Sequence, residues 1–220
     1  MKLYLDTADV DAWDDLMPTG LFHGITTNPL LAMRAGLEYP RIDWPALAGK
    51  AQELGAKELH VQVYGPAAEY AEQAEKLYAV GEAAGIEVVV KIPLVEDAIR
   101  VTPAIKALGG RILMTACYNA KQMFVAKALR ADFIAPYFGR MKEAGIEAEA
   151  HLAAMAKMNA TDTRRCDVLV ASIRSAAQMV TLASLGHDHF TISPDVARDL
   201  LTSSHSIKAF SEFEEAIRPS

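Results

Sequence analysis

The sequence predicts a closed (β/α)8 barrel, and three observations carry that prediction. Eight short apolar runs alternate with eight or more helical segments along the 220 residues, and strict alternation of this kind gives parallel strands that close into a barrel when the units number eight. The runs are apolar at consecutive positions, as in Val88-Val89-Val90, which suits strands covered on both faces. Gly85, Gly109 and Gly186 each fall after a helix and before a strand, where a helix stop belongs. A Gly-rich dinucleotide fingerprint after the first strand is missing, which counts against an open doubly wound sheet.

The elements follow in order. Lys2–Leu5 reads as the first strand and 9–16 as a helix with acidic residues in its first turn, where the helix dipole favours them. The strand 23–27 ends in Asn28-Pro29, a cap residue and a proline suited to the first helical position. Helical pieces over 30–35 and 44–54 precede the strand 59–63. Pro66 opens a long helix to Ala84, with Tyr70, Ala74 and Leu77 on one stripe. The fourth strand, Glu87 to Pro93, carries Lys91. A helix over 96–108, a strand over 111–115, a helix over 119–130 and a strand over 132–135 follow. The helix 145–158, the strand 167–171, the helix 175–185 and the strand 190–192 complete the set, and helical pieces over 195–201 and 207–217 close the chain. Residues 1–220 are read as one barrel domain, with 204–220 as a C-terminal helical extension.

Composition narrows the function. Hydrophobic residues make up 51% and charged residues 23%, an ordinary soluble balance. The net charge of −6 comes without a basic stripe, so a nucleic-acid partner is not expected. Cys117 and Cys166 sit in no CxxC or Cys/His zinc spacing, which suits a reduced, cytoplasmic protein. No signal peptide is expected, and no apolar run approaches the length of a membrane span.

Lys91 is the residue that stands out. It lies inside the apolar strand Val88-Val89-Val90-Lys91-Ile92, and lysine is rarely buried without a partner or a purpose. Burial disfavours the ammonium form and makes the amine a nucleophile near neutral pH. The alternative is a lysine that reaches solvent at a strand tip. Active sites of such barrels lie at the C-terminal strand ends. Those ends hold Asp6, Thr26 with Asn28, Gln62, Lys91, Thr115, Tyr137 with Arg140, and Ser172 with Arg174. One lysine, one carboxylate, one phenol, neutral hydrogen bonders and arginines suit imine chemistry on a phosphorylated polyol. His187 and His189 could suggest a metal but precede the eighth strand, away from this end. Cys117 is expected to be a buried, inert thiol, and His60 is expected to point outward toward the helices.

The motifs Leu5-Asp6-Thr7, Thr26-Thr27-Asn28-Pro29, Val90-Lys91-Ile92-Pro93, Ala135-Pro136-Tyr137 and Ala171-Ser172 resemble the short transaldolase family, and in particular its fructose-6-phosphate aldolase branch. The resemblance covers essentially the whole chain. It implies that Lys91 is the Schiff-base lysine, that Asp6 handles substrate hydroxyls, and that Asn28 contacts substrate beside the lysine; Thr26, a β-branched strand residue by default, is a substrate-binding candidate by position. It implies that Gln62 and Thr115 hold a water molecule that Tyr137 helps to act as acid and base. It implies that Arg140, Ser172 and Arg174 bind the substrate phosphate. Transaldolases of the family carry glutamate and usually phenylalanine where this chain has Gln62 and Tyr137, so both residues match the aldolase branch. The expected reaction is cleavage and formation of fructose 6-phosphate from dihydroxyacetone and glyceraldehyde 3-phosphate. Transaldolase activity, or a sugar-phosphate-binding barrel without catalysis, are the alternatives. No cofactor is expected, because the imine replaces a metal as electron sink. The expected partners are sugar phosphate and hydroxyketone substrates, with no membrane and no nucleic acid. The family also implies a pentameric or decameric homo-oligomer, for which Ile207, Phe210 and Phe213 offer an apolar stripe, although that stripe could equally cover its own barrel. Three departures surround the expected mouth: Leu30 replaces a serine or threonine, Met141-Lys142-Glu143 replaces an Ile/Leu-Asp-Asp type of segment, and Asn119 replaces a small residue. They leave the donor and acceptor preference open.

Overall fold

Eight parallel strands close into a ring in chain order, and the last returns to pair with the first. This computed structural model describes residues 1–161 and 164–218. The strands are β1 (Lys2–Asp6), β2 (Phe22–Thr26), β3 (Glu58–Gln62), β4 (Glu87–Pro93), β5 (Arg111–Cys117), β6 (Phe133–Pro136), β7 (Asp167–Val170) and β8 (His189–Ile192). The helices are α1 (Val10–Leu16), α2 (Pro29–Arg34), α3 (Trp44–Glu53), α4 (Tyr70–Ala84), α5 (Glu96–Ala107) and α6 (Gln122–Ala128). They continue as α7 (Phe138–Glu143), α8 (Ala148–Ala160), α9 (Ala176–Ser184), α10 (Pro194–Leu201) and α11 (Ser204–Ala216). The expected (β/α)8 barrel with a C-terminal helix is therefore the fold.

Strand alternation sorts each strand into two faces. On β4, Val88, Val90 and Ile92 turn outward into the apolar layer between strands and helices, a layer that also holds Trp13, Leu77, Ile105 and Leu152. Val89 turns inward and packs with Tyr4, Leu113, Phe133 and Leu169 in the barrel interior. Lys91 shares that inward face. Gly85 ends α4 at φ +70°, with Gly109 and Gly186 in the same left-handed region, as the sequence pattern requires.

Several boundaries differ from expectation. The helix opened by Pro66 begins at Tyr70, after a 3-10 turn over Ala67–Glu69. The helix placed over 119–130 shrinks to Gln122–Ala128. Gly145 lies outside α8, at φ +70°. The short helix α7 directly after β6 was not expected, because six residues with buried Phe138, Gly139 and Met141 give too little periodicity. The stripe Ile207, Phe210 and Phe213 does not cover its own barrel: α11 buries none of its residues. Of the extension placed over 204–220, residues 219–220 lie outside the described residues.

His60 does not point outward. Its ring sits inside the barrel, 5.0 Å from the Tyr4 ring and 5.2 Å from Phe133. Residues 58, 60 and 62 are two apart and share one face of β3, so an inward Gln62 already requires an inward His60. Below His60 lies Glu58, which is almost wholly buried. Its carboxylate accepts from the Tyr4 hydroxyl at 2.9 Å and from Arg111 at 2.9 Å, and lies 2.8 Å from His60 Nε2. Burial opposes ionisation of Glu58, but the bonds from His60, Arg111 and Tyr4 hold its carboxyl well below the usual range. Burial holds His60 down to about 4, against the pull of Glu58.

Candidate active site

Lys91 lies at the base of a cavity of about 670 Å³ at the C-terminal end of the barrel. Its Nζ donates to the Thr27 carbonyl at 2.6 Å. Burial pulls the amine down to about 8, and the Asp6 carboxylate acts in the opposite direction. Asp6 closes β1 in register with Thr26, and the Thr26 hydroxyl donates to Asp6 Oδ1 at 2.6 Å. Thr26 Oγ1 also lies 2.5 Å from Thr191 Oγ1 on β8. Gln62 is the register partner of Lys91 on the neighbouring strand. Tyr39 brackets the Gln62 backbone, with its hydroxyl 2.7 Å from the carbonyl oxygen and 3.0 Å from the amide nitrogen. Asn28 caps α2, accepting from the Leu30 and Leu31 amides at 3.0 and 3.1 Å, and still lines the cavity. Capping and lining are thus compatible, as the Asn-Pro pair suggested.

On the opposite wall, Thr115 Oγ1 lies 2.9 Å from the Tyr137 hydroxyl. Burial raises the Tyr137 phenol, the bond to Thr115 lowers it, and the charge of Asp6 raises it again; the net direction is up. The hydroxyl therefore stays protonated at neutral pH and is poised as a donor. Arg140, three residues on in α7, stacks its guanidinium 5.1 Å from the Tyr137 ring centre.

The third wall joins α7 to the segment after β7. Ser172 sits at φ +61°, a left-handed conformation that a non-glycine residue seldom adopts. Its carbonyl accepts from the Gly139 amide at 2.9 Å, and its hydroxyl accepts from the Arg140 amide at 3.3 Å. A Cβ on residue 139 would stand 2.1 Å from that carbonyl and 3.1 Å from the Arg174 stem, so glycine is what lets α7 lie this close. Arg174 lines the cavity with its Nε donating to Glu143 at 3.0 Å.

All ten residues singled out from the sequence line this one cavity. Arg34 and Tyr118 also line it and were not singled out, and Glu143, read from the sequence only as part of a departure at the mouth, lines it too. Arg34 falls one helical turn beyond Leu30 and Leu31, which was its only sequence signal. Cys117 is buried and its thiol is pushed up to about 12 by that burial, the inert state expected. His187 bonds the Leu152 carbonyl at 3.0 Å, and His189 lies 2.7 Å from Asp188 at the start of β8, at the other end of the barrel. Among the described residues, no cluster of three or more histidine, cysteine or acidic residues could hold a metal ion. No helix there is long and apolar enough to cross a membrane.

Residues 3–218 match the family model described as Transaldolase/Fructose-6-phosphate aldolase. The chain belongs to this family. Curated relatives named "Probable transaldolase" include one from Chelativorans sp. (strain BNC1), 30% identical over 209 residues, with 91% of this chain and 89% of the relative covered. Another, from Phenylobacterium zucineum (strain HLK1), is 30% identical over 213 residues, covering 97% and 94%. Family membership makes this chain an enzyme of the transaldolase/aldolase type. Among solved structures, mandelate oxidase with (S)-2-phenylpropionate aligns at a TM-score of 0.62 and 13% identity, over 90% of this chain and 65% of that one. Mandelate oxidase with benzoyl-formic acid gives 0.62 and 12% over the same shares. These two likenesses speak for the barrel fold alone.

Proposed function

We propose that the protein is a lysine-dependent aldolase that cleaves fructose 6-phosphate to dihydroxyacetone and glyceraldehyde 3-phosphate, and runs the addition in reverse. The observation that carries this reading is the buried Lys91 amine, brought to about 8 inside the cavity. At neutral pH a usable fraction of such an amine is unprotonated and nucleophilic. It attacks the ketose C2 carbonyl, and loss of water gives the protonated imine. The C4 hydroxyl proton then leaves, the C3–C4 bond breaks, and its electron pair enters the imine to give the enamine. Protonation at C3 and hydrolysis release dihydroxyacetone and restore the amine. Asp6 orients substrate hydroxyls. Tyr137, bonded to Thr115, shuttles protons through a water held with Gln62; the phenol is a better acid beside an iminium charge than alone. Arg140, Ser172 and Arg174 receive the phosphate. Thr26 and Asn28 shape the donor end.

The second reading is transaldolase, favoured by the names of the relatives at 30% identity. It shares the lysine and the enamine but passes the three-carbon unit to an aldose phosphate. Gln62 and Tyr137, the pair of the aldolase branch, favour the first reading. Incubation with fructose 6-phosphate alone separates the two. Sustained release of free dihydroxyacetone over many turnovers is expected. Turnover only after erythrose 4-phosphate is added would overturn the aldolase reading.

A further inference from the structure

We infer that Glu143 is a specificity-determining residue, its carboxylate standing in for a substrate anion on Arg174 so that the site accepts neutral aldehydes alongside phosphorylated ones. The inference rests on the aldolase reading and deepens it.

Both partners of the pair line the cavity, and Arg174 Nε lies 3.0 Å from Glu143 Oε1. They come from different segments, Glu143 from the end of α7 and Arg174 from the stretch after β7. Arg140 and Glu143 are three apart on α7 and so share a face. That places a carboxylate on the same wall as the two cations expected to hold phosphate. Lys142 does not neutralise Glu143; it pairs outward with Glu149 at 2.6 Å. The Arg174 stem runs close beside Gly139, its Cγ and Nε each 3.1 Å from where a Cβ on that residue would stand.

The consequence is a competition. A phosphate arriving at Arg174 must displace Glu143 or accept a carboxylate beside it, and either weakens its binding. A neutral aldehyde meets a guanidinium whose charge is already matched. The pair is about half exposed, 49% for Arg174 and 60% for Glu143, so its strength is that of a surface ion pair and it yields to a good anion. Phosphate is thus discouraged rather than excluded.

The test uses Glu143→Gln, which keeps the shape and removes the charge, with Glu143→Asp as the charge-retaining control. Inorganic phosphate is titrated into each protein by calorimetry. KM is then measured for glyceraldehyde 3-phosphate and for glyceraldehyde in the addition of dihydroxyacetone. The Gln variant is expected to bind phosphate about threefold to tenfold more tightly. Its KM for the phosphorylated aldehyde should fall by a similar factor relative to that for glyceraldehyde, and the difference should shrink with added salt. The Asp variant should stay near the parent. Unchanged or weaker phosphate binding by Glu143→Gln would overturn the inference, because the carboxylate would then merely hold Arg174 in place. The titration needs no turnover. Release of free dihydroxyacetone from fructose 6-phosphate alone, measured in parallel, judges the aldolase reading separately.

Discussion

Lys91 Nζ donates to the Thr27 carbonyl at 2.6 Å, and that carbonyl belongs to the residue after Thr26, which itself bonds Asp6. The amine is thus held by the residue that follows β2, while the Asp6 carboxylate, which raises it, comes from the end of β1. This arrangement gives the site a pH response with a definite sign. The rate of cleavage at low substrate should rise with pH through about 8, as Lys91 loses its proton, and then level off. Asp6→Asn removes the group that raises the amine, so the rising limb should move to lower pH. A pH–rate profile of kcat/KM for the two proteins checks the direction; a limb that moves upward would contradict it.

Burial of Lys91 also costs stability. The unfolded chain holds this proton up to the ordinary value of 10.5, and the folded chain only up to about 8. Between those values unfolding takes up a proton, so stability rises with pH across that window. Below pH 8 the full cost applies, on the order of 3 kcal/mol. Lys91→Met should therefore raise the melting temperature at pH 7, and the advantage should shrink toward pH 10. The orphaned Thr27 carbonyl offsets part of the gain, by about 1 kcal/mol. Thermal scans at the two pH values test this.

Tyr137→Phe removes one partner of the 2.9 Å pair with Thr115 and leaves Lys91 intact. Cleavage should fall by roughly 10²-fold or more, while borohydride still fixes dihydroxyacetone to the lysine. Loss of trapping together with loss of turnover would assign the tyrosine to the fold instead.

Much of this site can be read from strand-end chemistry. Asp6 and Gln62 close their strands, and Lys91 and Thr115 lie two residues before the ends of theirs, so all four follow from asking which polar residues stand at the C-terminal strand ends. Asn28 is legible as a cap, and its place at the cavity follows from the same position. The least legible wall is built on α7. Six residues give no amphipathic period, so Arg140 could be read as a loop arginine but Glu143 could not be placed beside Arg174. The contact between them depends on residues far apart in sequence and on Gly139 approaching Ser172, which no local pattern reports. His60 was misplaced for a simpler reason: its interval to Gln62 is a full strand period, which puts the two side chains on one face.

That misplaced histidine belongs to a buried network with a measurable weight. Glu58→Ala would leave Arg111, Tyr4 and His60 without their shared acceptor inside the barrel. Breaking a buried ionic cluster from one side costs about 3–5 kcal/mol. The melting temperature should drop sharply, whereas a surface pair such as Lys76–Glu72 should give way with almost no change on Glu72→Ala.

Thr191, in the last strand, touches Thr26 in the second, which holds Asp6 in the first. One hydroxyl contact thus ties the wall beside the lysine to the strand that closes the ring. A fragment that stops short of β8 would lack it, so the site and the closed circle of strands stand or fall together.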